Sequence, residues 1–345
     1  MAELALSNTQ AVASGTLKQQ PSDFVVTEQL GWEPIGEGEH IYLWVSKIGR
    51  NTRFVLTELA RYSNIRERDI SYSGMKDKQA LTKQWFSLHV PGKQNIDWQN
   101  FAVDGVTIEK VVRHNRKLRR GAHKSNHFSI TINNVAGDSD AVDKKFEEIK
   151  KIGFPNFFGQ QRFGFSGNNL AEFSRWVERG KGKPRNHDLY LSAARSHLFN
   201  KVLAVRQVND TWNRIVDGDM AMLDGSSSVF AVAQCDSEIS QRCEGFDIHP
   251  TAPLWGKGDL RSTGSIADLE QAITELYQSW CDFLVLQGLK QERRATRAIA
   301  KNLTWKWLDN TTTKVEFELT KGCYATSLLA EVFDLHNNNN ERKSE

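Results

Sequence analysis

The hydrophobic period of this chain changes from strand to helix and back to strand, and this change most constrains its fold. Strand-like residues, rich in β-branched and aromatic side chains, occupy 23–28, 40–46, 70–73, 84–90, 106–113 and 128–132. Helical periodicity follows and predicts helices over 141–152, 170–178, 193–208 and 266–299. Alternation then returns at 313–320, where Val315, Phe317 and Leu319 share one face. This order predicts an α+β fold in which a helical segment interrupts a β-rich domain.

Two local features of the first 90 residues predict a helix start and a turn. Thr52 is placed to cap a helix that ends near Asn64. The stretch SGMKDKQALT, residues 73–82, lies between two predicted strands and is typical of a polar hairpin turn. Within it, Lys76 and Lys78 flank Asp77, and these cations favour an ionised carboxylate. The local pattern therefore leaves two readings of Asp77 open, an ordinary turn residue or a reactive carboxylate.

Length and charge set broad limits on function. The chain has 345 residues, which indicates about two or three domains. Its 45 basic and 42 acidic residues give a net charge of +3, so affinity for nucleic acid must come from local clustering. No apolar run approaches the roughly 18 residues that a membrane span needs. We therefore expect no membrane association.

The N-terminal stretch and the cysteines predict a cytoplasmic location. MAELALSNTQ lacks the basic start and the sustained apolar stretch of a secretory signal. The four cysteines are scattered without a CxxC pair, which is typical of free thiols in a reducing compartment.

Several common catalytic motifs are missing from the sequence. It contains no GxGxxG, no Walker A motif, no GxSxG and no HExxH. These observations disfavour dinucleotide-dependent oxidoreduction, P-loop phosphoryl transfer, nucleophile-elbow hydrolysis and zinc hydrolysis. We expect neither a metal nor a nucleotide cofactor.

The strongest signal for a partner is the basic run at 113–124, RHNRKLRRGAHK. Six lysines and arginines and two histidines fall within twelve residues that contain no acid. A basic connection between strands is well suited to follow a phosphate backbone, although a solvated charged surface is the common alternative. We favour nucleic-acid binding by these cations: Arg113, Arg116, Lys117, Arg119, Arg120 and Lys124.

Two aromatic segments allow both a structural and a functional interpretation. Asn126 and Phe128 follow the basic run and are suited to bind an unpaired base, but an aromatic strand residue usually belongs to the core. The stretch PNFFGQQRFG, residues 155–164, either packs a domain junction or lines a cleft. Its pattern favours packing.

Five motifs in order resemble those of the tRNA pseudouridine synthase D (TruD) family. The stretch KQQPSDFVVTE at 18–28 is similar to the family's K…DFxVxE motif, and residues 74–84 match GxKDxxAxTxQ. Asn126 and Phe128 follow a basic run as they do in the family. The segment 156–164 resembles N-(F/Y)-F-G-x-Q-R-F-G, and 322–327, GCYATS, resembles G-x-F-A-T-S. The resemblance covers nearly the whole chain.

The resemblance implies specific roles for individual residues. Asp77 falls on the catalytic aspartate of the family. Lys18 and Lys76 are candidates for supporting cations, and simple exposure to solvent is the alternative for Lys76. The residues at positions that contact the target nucleotide are Phe24, Asn126, Phe128 and Tyr324. Tyr324 stands where the family usually has phenylalanine, so it keeps the ring and adds a hydroxyl.

The resemblance also implies the domain organisation and the reaction. A discontinuous pseudouridine synthase catalytic domain is expected at 1–151 plus 300–345, with a mostly helical TRUD insertion domain at 152–299. The expected activity is isomerisation of uridine 13 in the D arm of tRNA, on a flipped-out nucleotide, by a monomer without a cofactor. Two alternatives are a noncatalytic RNA-binding or RNA-remodelling protein and a tRNA methyltransferase. The missing glycine-rich nucleotide loop disfavours the methyltransferase.

Overall fold

The computed structural model describes residues 11–92 and 96–337, and these contain the following elements. The strands are β1 Ala13–Leu17, β2 Phe24–Gln29, β3 His40–Ile48, β4 Ile70–Tyr72, β5 Leu81–His89, β6 Val106–His114, β7 Ser125–Gly137, β8 Phe154–Pro155, β9 Asp219–Leu223, β10 Val229–Val232, β11 Ile248–Leu254, β12 Glu292–Ala295, β13 Arg297–Ala298, β14 Lys301–Asp309, β15 Thr312–Thr320 and β16 Phe333–Asn337. The helices are α1 Thr52–Ser63, α2 Ser139–Ile152, α3 Asn168–Arg179, α4 His187–Val208, α5 Ser237–Glu244, α6 Gly264–Leu276, α7 Gln278–Leu286 and α8 Ala325–Leu329.

The described residues form two compact units, each made of separated stretches of chain. The first, which we call the sheet unit, contains Val12–Val142, Lys301–Gly322 and 333–337. The second, which we call the helical unit, contains Asp143–Ala300 and Cys323–Val332. The chain is α+β, with a mostly helical segment inserted into a β-rich one, as its changing period predicts.

A ten-stranded mixed sheet forms the sheet unit. Its main path runs β14-β15-β7-β2-β5-β3-β6, while β1 pairs with β7 and β16, and β4 pairs with β5. The pairs β2–β5 and β1–β16 are parallel, and the other pairs are antiparallel. The late strand β15 pairs with β7 over its whole length, from Thr313 opposite Ile132 to Thr320 opposite Ser125. The strand predicted at 313–320 is therefore confirmed and lies between β14 and β7 in the sheet.

The two faces of β3 and β5 have different environments because side chains alternate along a strand. One face packs against α1 through a core cluster that includes Leu43, Val45 and Phe86. The other face carries Tyr42 and Trp85, which pack with Leu30 and Leu118 in a second cluster. One face of β3 and β5 therefore packs against α1, and the other packs against the basic run through Leu118.

The predicted elements at 40–46, 84–90 and 106–113 are confirmed as parts of β3, β5 and β6. The predicted cap of α1 is wrong by one residue. Asn51 caps the helix, since its side chain accepts a 2.7 Å hydrogen bond from the Phe54 amide. The Thr52 hydroxyl is buried and bonds instead to the loop that carries Asp77.

The helical unit is built around α4, whose buried residues include Phe199, Val202 and Leu203. A four-stranded sheet, β10-β9-β11-β12, packs beside it, and β8 and β13 form a separate two-stranded pair. The aromatic stretch at 155–164 contributes Phe157, Phe158 and Phe163, all buried, to the same core. The packing interpretation of that stretch is confirmed.

The single helix predicted over 266–299 is wrong. The chain forms α6 and α7, which are separated at Tyr277 by φ −121° and ψ 30°, outside the helical range. Gly288 then turns the backbone with φ +79°, and β12 pairs with β11. The apolar residues of this segment follow a helical period, but tertiary pairing with β11 determines the conformation of its last third.

Candidate active site

Asp77 lies in the loop that connects β4 to β5, which are antiparallel partners in the sheet unit. Buried polar groups hold this loop in place. The Gln84 side-chain amide donates to the Gly74 carbonyl oxygen at 3.0 Å, and the Lys76 amide donates to the Thr52 hydroxyl at 2.9 Å. Thr52 in turn donates to Gln84 at 3.0 Å. The turn is therefore fixed from the sheet and from α1 and is not a free hairpin tip.

The Asp77 carboxylate is accessible and paired with a cation. Its side chain is 40% exposed, and Oδ2 lies 3.2 Å from Nζ of Lys18, which is 16% exposed. Lys18 has a left-handed backbone with φ 57°, which is uncommon for a residue with a side chain. Such strain persists only where the surrounding structure enforces it, and it often marks a functional position. The Lys18 ammonium group is therefore the ion-pair partner of the Asp77 carboxylate.

A second lysine, Lys47, donates a hydrogen bond to the main chain of Asp77. The Lys47 ammonium group donates to the carbonyl oxygens of Asp77 at 2.6 Å and Arg50 at 2.8 Å. Lys47 is only 1% exposed. Burial lowers the pKa of Lys47 to about 8, an effect that the nearby Asp77 charge opposes and the Lys76 charge reinforces. Lys47 is thus a buried cation whose hydrogen bonds set the position of the catalytic candidate.

The neighbouring lysine, Lys76, is also buried and paired. Its ammonium group lies 3.0 Å from Oε2 of Glu28, with side-chain exposures of 6% and 0%. The other Glu28 oxygen accepts a hydrogen bond from the Trp85 amide at 3.1 Å. Burial raises the pKa of Glu28, while the charge of Lys76 and its hydrogen bond act in the opposite direction. The pair ties the Asp77 loop to β2 and β5.

Lys18 also contacts an aromatic ring, which is the first of three rings in contact along the sheet. Its Nζ lies 4.2 Å from the centre of the Phe24 ring, a cation–π distance. Phe24 meets Phe128 edge to face at 6.3 Å, and Phe128 stacks on Phe317 at 5.3 Å. Phe24 and Phe128 are 3% and 8% exposed, so both also belong to the core. Asp77, Lys18, Phe24 and Phe128 therefore form one continuous series of contacts.

Asn126 lies two residues before Phe128 on β7, so both side chains point to the same face of the sheet. Its side-chain Oδ1 is buried and accepts no hydrogen bond from any residue in the described ranges. A buried acceptor of this kind has a high energetic cost unless a ligand or water satisfies it. Asn126 is therefore suited to bind a donor group of a substrate.

The end of the basic run adjoins the Asp77 loop through His123 and Ser73. The Ser73 hydroxyl and His123 Nδ1 are 2.6 Å apart, and the Ser73 carbonyl oxygen accepts from the Gly121 amide at 2.8 Å. Burial, with smaller effects of Lys76 and Lys321, lowers the pKa of His123 to about 4. His123 is therefore neutral at pH 7 and serves as a hydrogen-bonding anchor.

The other end of the basic run is anchored by its main chain and by one apolar residue. The Arg116 carbonyl oxygen accepts from the Tyr42 hydroxyl at 3.0 Å, and Leu118 is 1% exposed. These contacts leave Arg116, Lys117, Arg119, Arg120 and Lys124 exposed. The run thus forms a fixed loop with an outward-facing set of charges.

Some cations of the run also make contacts within the protein. The Arg113 guanidinium donates to the carbonyl oxygens of Gly38 at 3.0 Å and Gly92 at 3.4 Å. The Arg120 guanidinium lies 3.4 Å from the centre of the Tyr72 ring. Arg113 is half-buried, so it is the least available of the six predicted phosphate ligands.

Tyr324 belongs to the helical unit, just before α8. Its hydroxyl accepts a 2.9 Å hydrogen bond from Arg162 Nε, and the same guanidinium donates to the Ser192 hydroxyl at 2.9 Å. The Tyr324 ring meets Phe158 edge to face at 5.9 Å. The hydroxyl that distinguishes this residue from phenylalanine thus has a partner within its own unit.

Comparison with known proteins identifies the family. The model of the family described as tRNA pseudouridine synthase D (TruD) matches residues 3–181 and 182–332. The chain belongs to the TruD family. The tRNA pseudouridine synthase D of Hydrogenovibrio crunogenus is 41% identical over 324 residues, covering 93% of each chain. That of Pseudoalteromonas atlantica is 40% identical, covering 94% of this chain and 93% of its own.

Solved structures support the fold. A crystal structure from Methanosarcina mazei described as a TruD protein superposes with a TM-score of 0.72. It covers 95% of each chain at 20% sequence identity, so it supports the fold alone. The TruD resemblance inferred from the five motifs is confirmed.

The TruD motifs led to Asp77, Lys18, Phe24 and Phe128, which the structure brings together in the sheet unit. Two supporting residues were missed. Lys47 and Glu28 stand at alternating positions that otherwise face the core, in line with Val45 and Val26. A charge at a buried position of a strand is the signal that would have found both.

The described parts of the chain contain neither a candidate metal cluster nor a membrane-spanning helix. No cluster of three or more histidine, cysteine, aspartate or glutamate side chains there has the geometry of a metal site. Among those residues, no helix combines the length and the hydrophobicity needed to cross a membrane.

Proposed function

We propose that this chain isomerises uridine to pseudouridine in tRNA, at uridine 13 of the D arm, with Asp77 as the catalytic carboxylate. One observation carries the proposal. An accessible carboxylate is held at 3.2 Å from Lys18, and that lysine also lies against Phe24, which meets Phe128 edge to face. The TruD family membership supports the reaction type, and the target position follows from the resemblance of the motifs.

The reaction requires no redox partner. The bond between uracil N1 and C1′ of the ribose breaks, the base turns, and C5 bonds to C1′. C5 loses its hydrogen and N1 gains one, so the product has the mass of the substrate. The Asp77 carboxylate acts as a nucleophile at C1′ or as a base at C2′, and both routes need it ionised. Lys18 forms an ion pair with that carboxylate, and Lys47 holds the backbone that carries it.

The target nucleotide leaves the tRNA stack before it reacts. Phe128 stacks on the base, Phe24 supports it, and the unpaired Oδ1 of Asn126 accepts a hydrogen bond from it. Tyr324 takes the nucleotide-contacting role of the family phenylalanine. Lys76 supports the site by holding the loop through Glu28.

The surrounding chain supplies the remaining functions. We assign residues 1–151 plus 300–345 to the catalytic domain and 152–299 to the TRUD insertion, although residues 1–10, 93–95 and 338–345 lie outside the described ones. The phosphate backbone runs along the exposed cations of the 113–124 run. We infer that the protein acts in the cytoplasm as a monomer without a cofactor, with tRNA as its partner.

The decisive experiment compares wild type with Asp77→Asn on an unmodified tRNA transcript. Wild type is expected to form pseudouridine at uridine 13, mapped by carbodiimide labelling, whereas Asp77→Asn forms none yet keeps its fold and its tRNA affinity. Asp104→Asn is the matched control, because its carboxylate is 92% exposed and pairs with Arg50. If wild type makes no pseudouridine in any tRNA, the proposal fails. A gain in product mass would point to a methyltransferase instead.

A further inference from the structure

A second cavity opens on the sheet unit, away from Asp77. Its volume is about 510 Å³, within the range of small-molecule sites. Three indoles line it, with polar groups of Gln29, Glu33 and Lys110; these indoles belong to Trp32, Trp44 and Trp85. Glu28 also lines it, and the mechanism proposed above uses that residue only to hold Lys76.

Strand alternation places the cavity on the opposite face of the sheet from the Asp77 support. Trp44 pairs with Trp85 across β3 and β5, and their rings lie 5.1 Å apart. Lys47, three residues after Trp44 on β3, points to the other face and bonds to the Asp77 carbonyl oxygen. The indoles of Trp44 and Trp85 and the Lys47 ammonium group therefore lie on opposite faces of the sheet, while Glu28 borders both sites.

The outer indole, Trp32, is available for stacking. It is 38% exposed. Its inner surface is fixed, because the ring stacks on His114 at 4.7 Å with planes 25° apart. A rigid aromatic surface with one open side is the arrangement that binds unpaired bases regardless of sequence.

The basic run connects the two sites. Its early part joins the tryptophan cluster, where Leu118 packs with Tyr42 and Trp85. Its later part reaches the Asp77 loop through the Gly121 and His123 bonds to Ser73. A single phosphate backbone that follows this loop passes from one site to the other.

The charges at the cavity fit a nucleic acid. The Lys124 side chain lies beside Gly31, which lines the cavity, since a Cβ on that glycine would come within 2.9 Å of Lys124 Cδ. The exposed Glu33 carboxylate is 4.0 Å from Lys110 Nζ, so its charge is offset. Glu28, the other acid of the lining, is paired with Lys76.

We propose that this cavity binds a second unpaired base of the RNA substrate, stacked on Trp32, while the connecting phosphates lie along the 113–124 run. The inference rests on the proposed function for the identity of the RNA. It assigns to the tryptophan cavity a role in substrate affinity and not in bond breaking.

The first test is the affinity of substitution variants for an unmodified tRNA transcript. Trp32→Ala is expected to raise Kd by at least about fivefold, the lower end of what stacking on one base contributes. Trp32→Phe keeps a ring and is expected to stay within about twofold of wild type. Tyr62→Ala is the control, because Tyr62 is a similarly exposed aromatic (37%) that stacks on Trp98 on the other face.

The second test locates the base. A transcript with 4-thiouridine in place of uridine is irradiated with wild-type protein, and the crosslinked peptides are identified by mass spectrometry. We expect crosslinks to Trp32 or its cavity neighbours in addition to any at the Asp77 loop. The proposal stands only if both tests succeed. It is overturned if Trp32→Ala binds like Tyr62→Ala, or if no crosslink reaches the cavity.

The tests of the tryptophan cavity and the test of pseudouridine formation can give different results. Pseudouridine formation by wild type, without any effect of Trp32→Ala on Kd, would retain the enzyme and remove the second site. Crosslinks in the cavity without pseudouridine in any tRNA would retain an RNA-binding site and remove the reaction.

Discussion

At the scale of single residues, the candidate site depends on cations that differ in exposure and in role. Lys18 contacts the Asp77 carboxylate from a partly exposed position, whereas Lys47 is buried and contacts only carbonyl oxygens. The cost of burying Lys47 is met by hydrogen bonds to a turn that has no regular secondary structure to satisfy its carbonyls. The side chain therefore has a positioning role.

The lowered pKa of Lys47 predicts a pH effect on catalysis. As pH rises through about 8 the ammonium group loses a proton, its hydrogen bonds to the Asp77 loop weaken, and the rate at saturating tRNA is expected to fall. The contribution of Lys47 to the free energy of unfolding changes in the opposite direction and rises with pH. Between about 8 and 10.5 the unfolded chain binds more protons at Lys47 than the folded chain, so this group makes folding more favourable as pH rises.

Single-turnover rates from pH 7 to 9.5 test this effect, with urea unfolding at the same pH values. Lys47→Met is expected to be slower by up to about a hundredfold at pH 7, since small misplacements of catalytic groups have effects of that size. It should also lack the decline near pH 8. Lys83→Met, at a half-exposed lysine of β5, is the control. A wild-type decline that persists unchanged in Lys47→Met would contradict the assignment.

At the scale of elements, buried polar pairs connect the Asp77 loop to regular structure. The Glu28–Lys76 pair joins it to β2, and its hydrogen bonds to Thr52 and Gln84 join it to α1 and β5. A buried ion pair stabilises little compared with apolar packing, but loss of one partner leaves a charge without compensation. These pairs fix the register of a loop that has few apolar contacts of its own.

Glu28→Gln tests the importance of the buried pair. It keeps the shape of the side chain and an acceptor for the Trp85 amide, but leaves the Lys76 charge unpaired. The free energy of unfolding is expected to fall by about 3–5 kcal/mol in urea titrations. Glu109→Gln, which breaks the half-exposed pair with Lys83, should change it by no more than about 1 kcal/mol. Equal effects of the two variants would rule out a special role for the pair.

The basic run predicts the salt dependence of tRNA binding. Replacing both Arg116 and Arg119 with alanine removes two exposed charges. The plot of log association constant against log salt concentration should then become shallower, with a slope smaller in magnitude by about 1.5. The arginines of α1, Arg53 and Arg61, have 65% and 75% exposed side chains paired with glutamates, so their double alanine variant is the control. An unchanged slope in the Arg116/Arg119 variant would show that phosphates bind elsewhere.

At the scale of the whole molecule, each unit contains its own buried histidine and its own core. His123 in the sheet unit and His197 in the helical unit are 8% and 9% exposed. Burial lowers the pKa of each to about 4, with nearby lysines reinforcing the effect. Each unit therefore contains a histidine that takes up its proton at a lower pH in the folded chain than in the unfolded chain.

Acid is expected to destabilise both units through these histidines. Between pH 6.5 and about 4 the unfolded chain binds more protons at each site, so the free energy of unfolding falls as pH falls through this window. Each contributes up to about 3 kcal/mol. His123→Gln and His197→Gln should each flatten the pH dependence of urea unfolding from 7 to 4.5. A steeper dependence in either buried-site variant would contradict the prediction.

Elements with a clean local period were predictable from sequence alone. The alternation of β3 and β15 and the helical period of α2 and α3 gave their positions to within a few residues. The segment 266–299 was not predictable in this way. Its last part pairs with β11, and pairing with a distant strand overrides the local helical period.

The sequence by itself determined the α+β class, the family and the choice of Asp77 as the catalytic candidate, because these depend on local period and on residues within short motifs. Only the tertiary structure decided that Lys47 and Glu28 lie beneath the Asp77 loop and that a tryptophan cavity lies on the other face of the sheet. The physical reason is strand pairing. It brings together side chains from β2, β3 and β5 that are distant in the chain, and no local pattern contains that register.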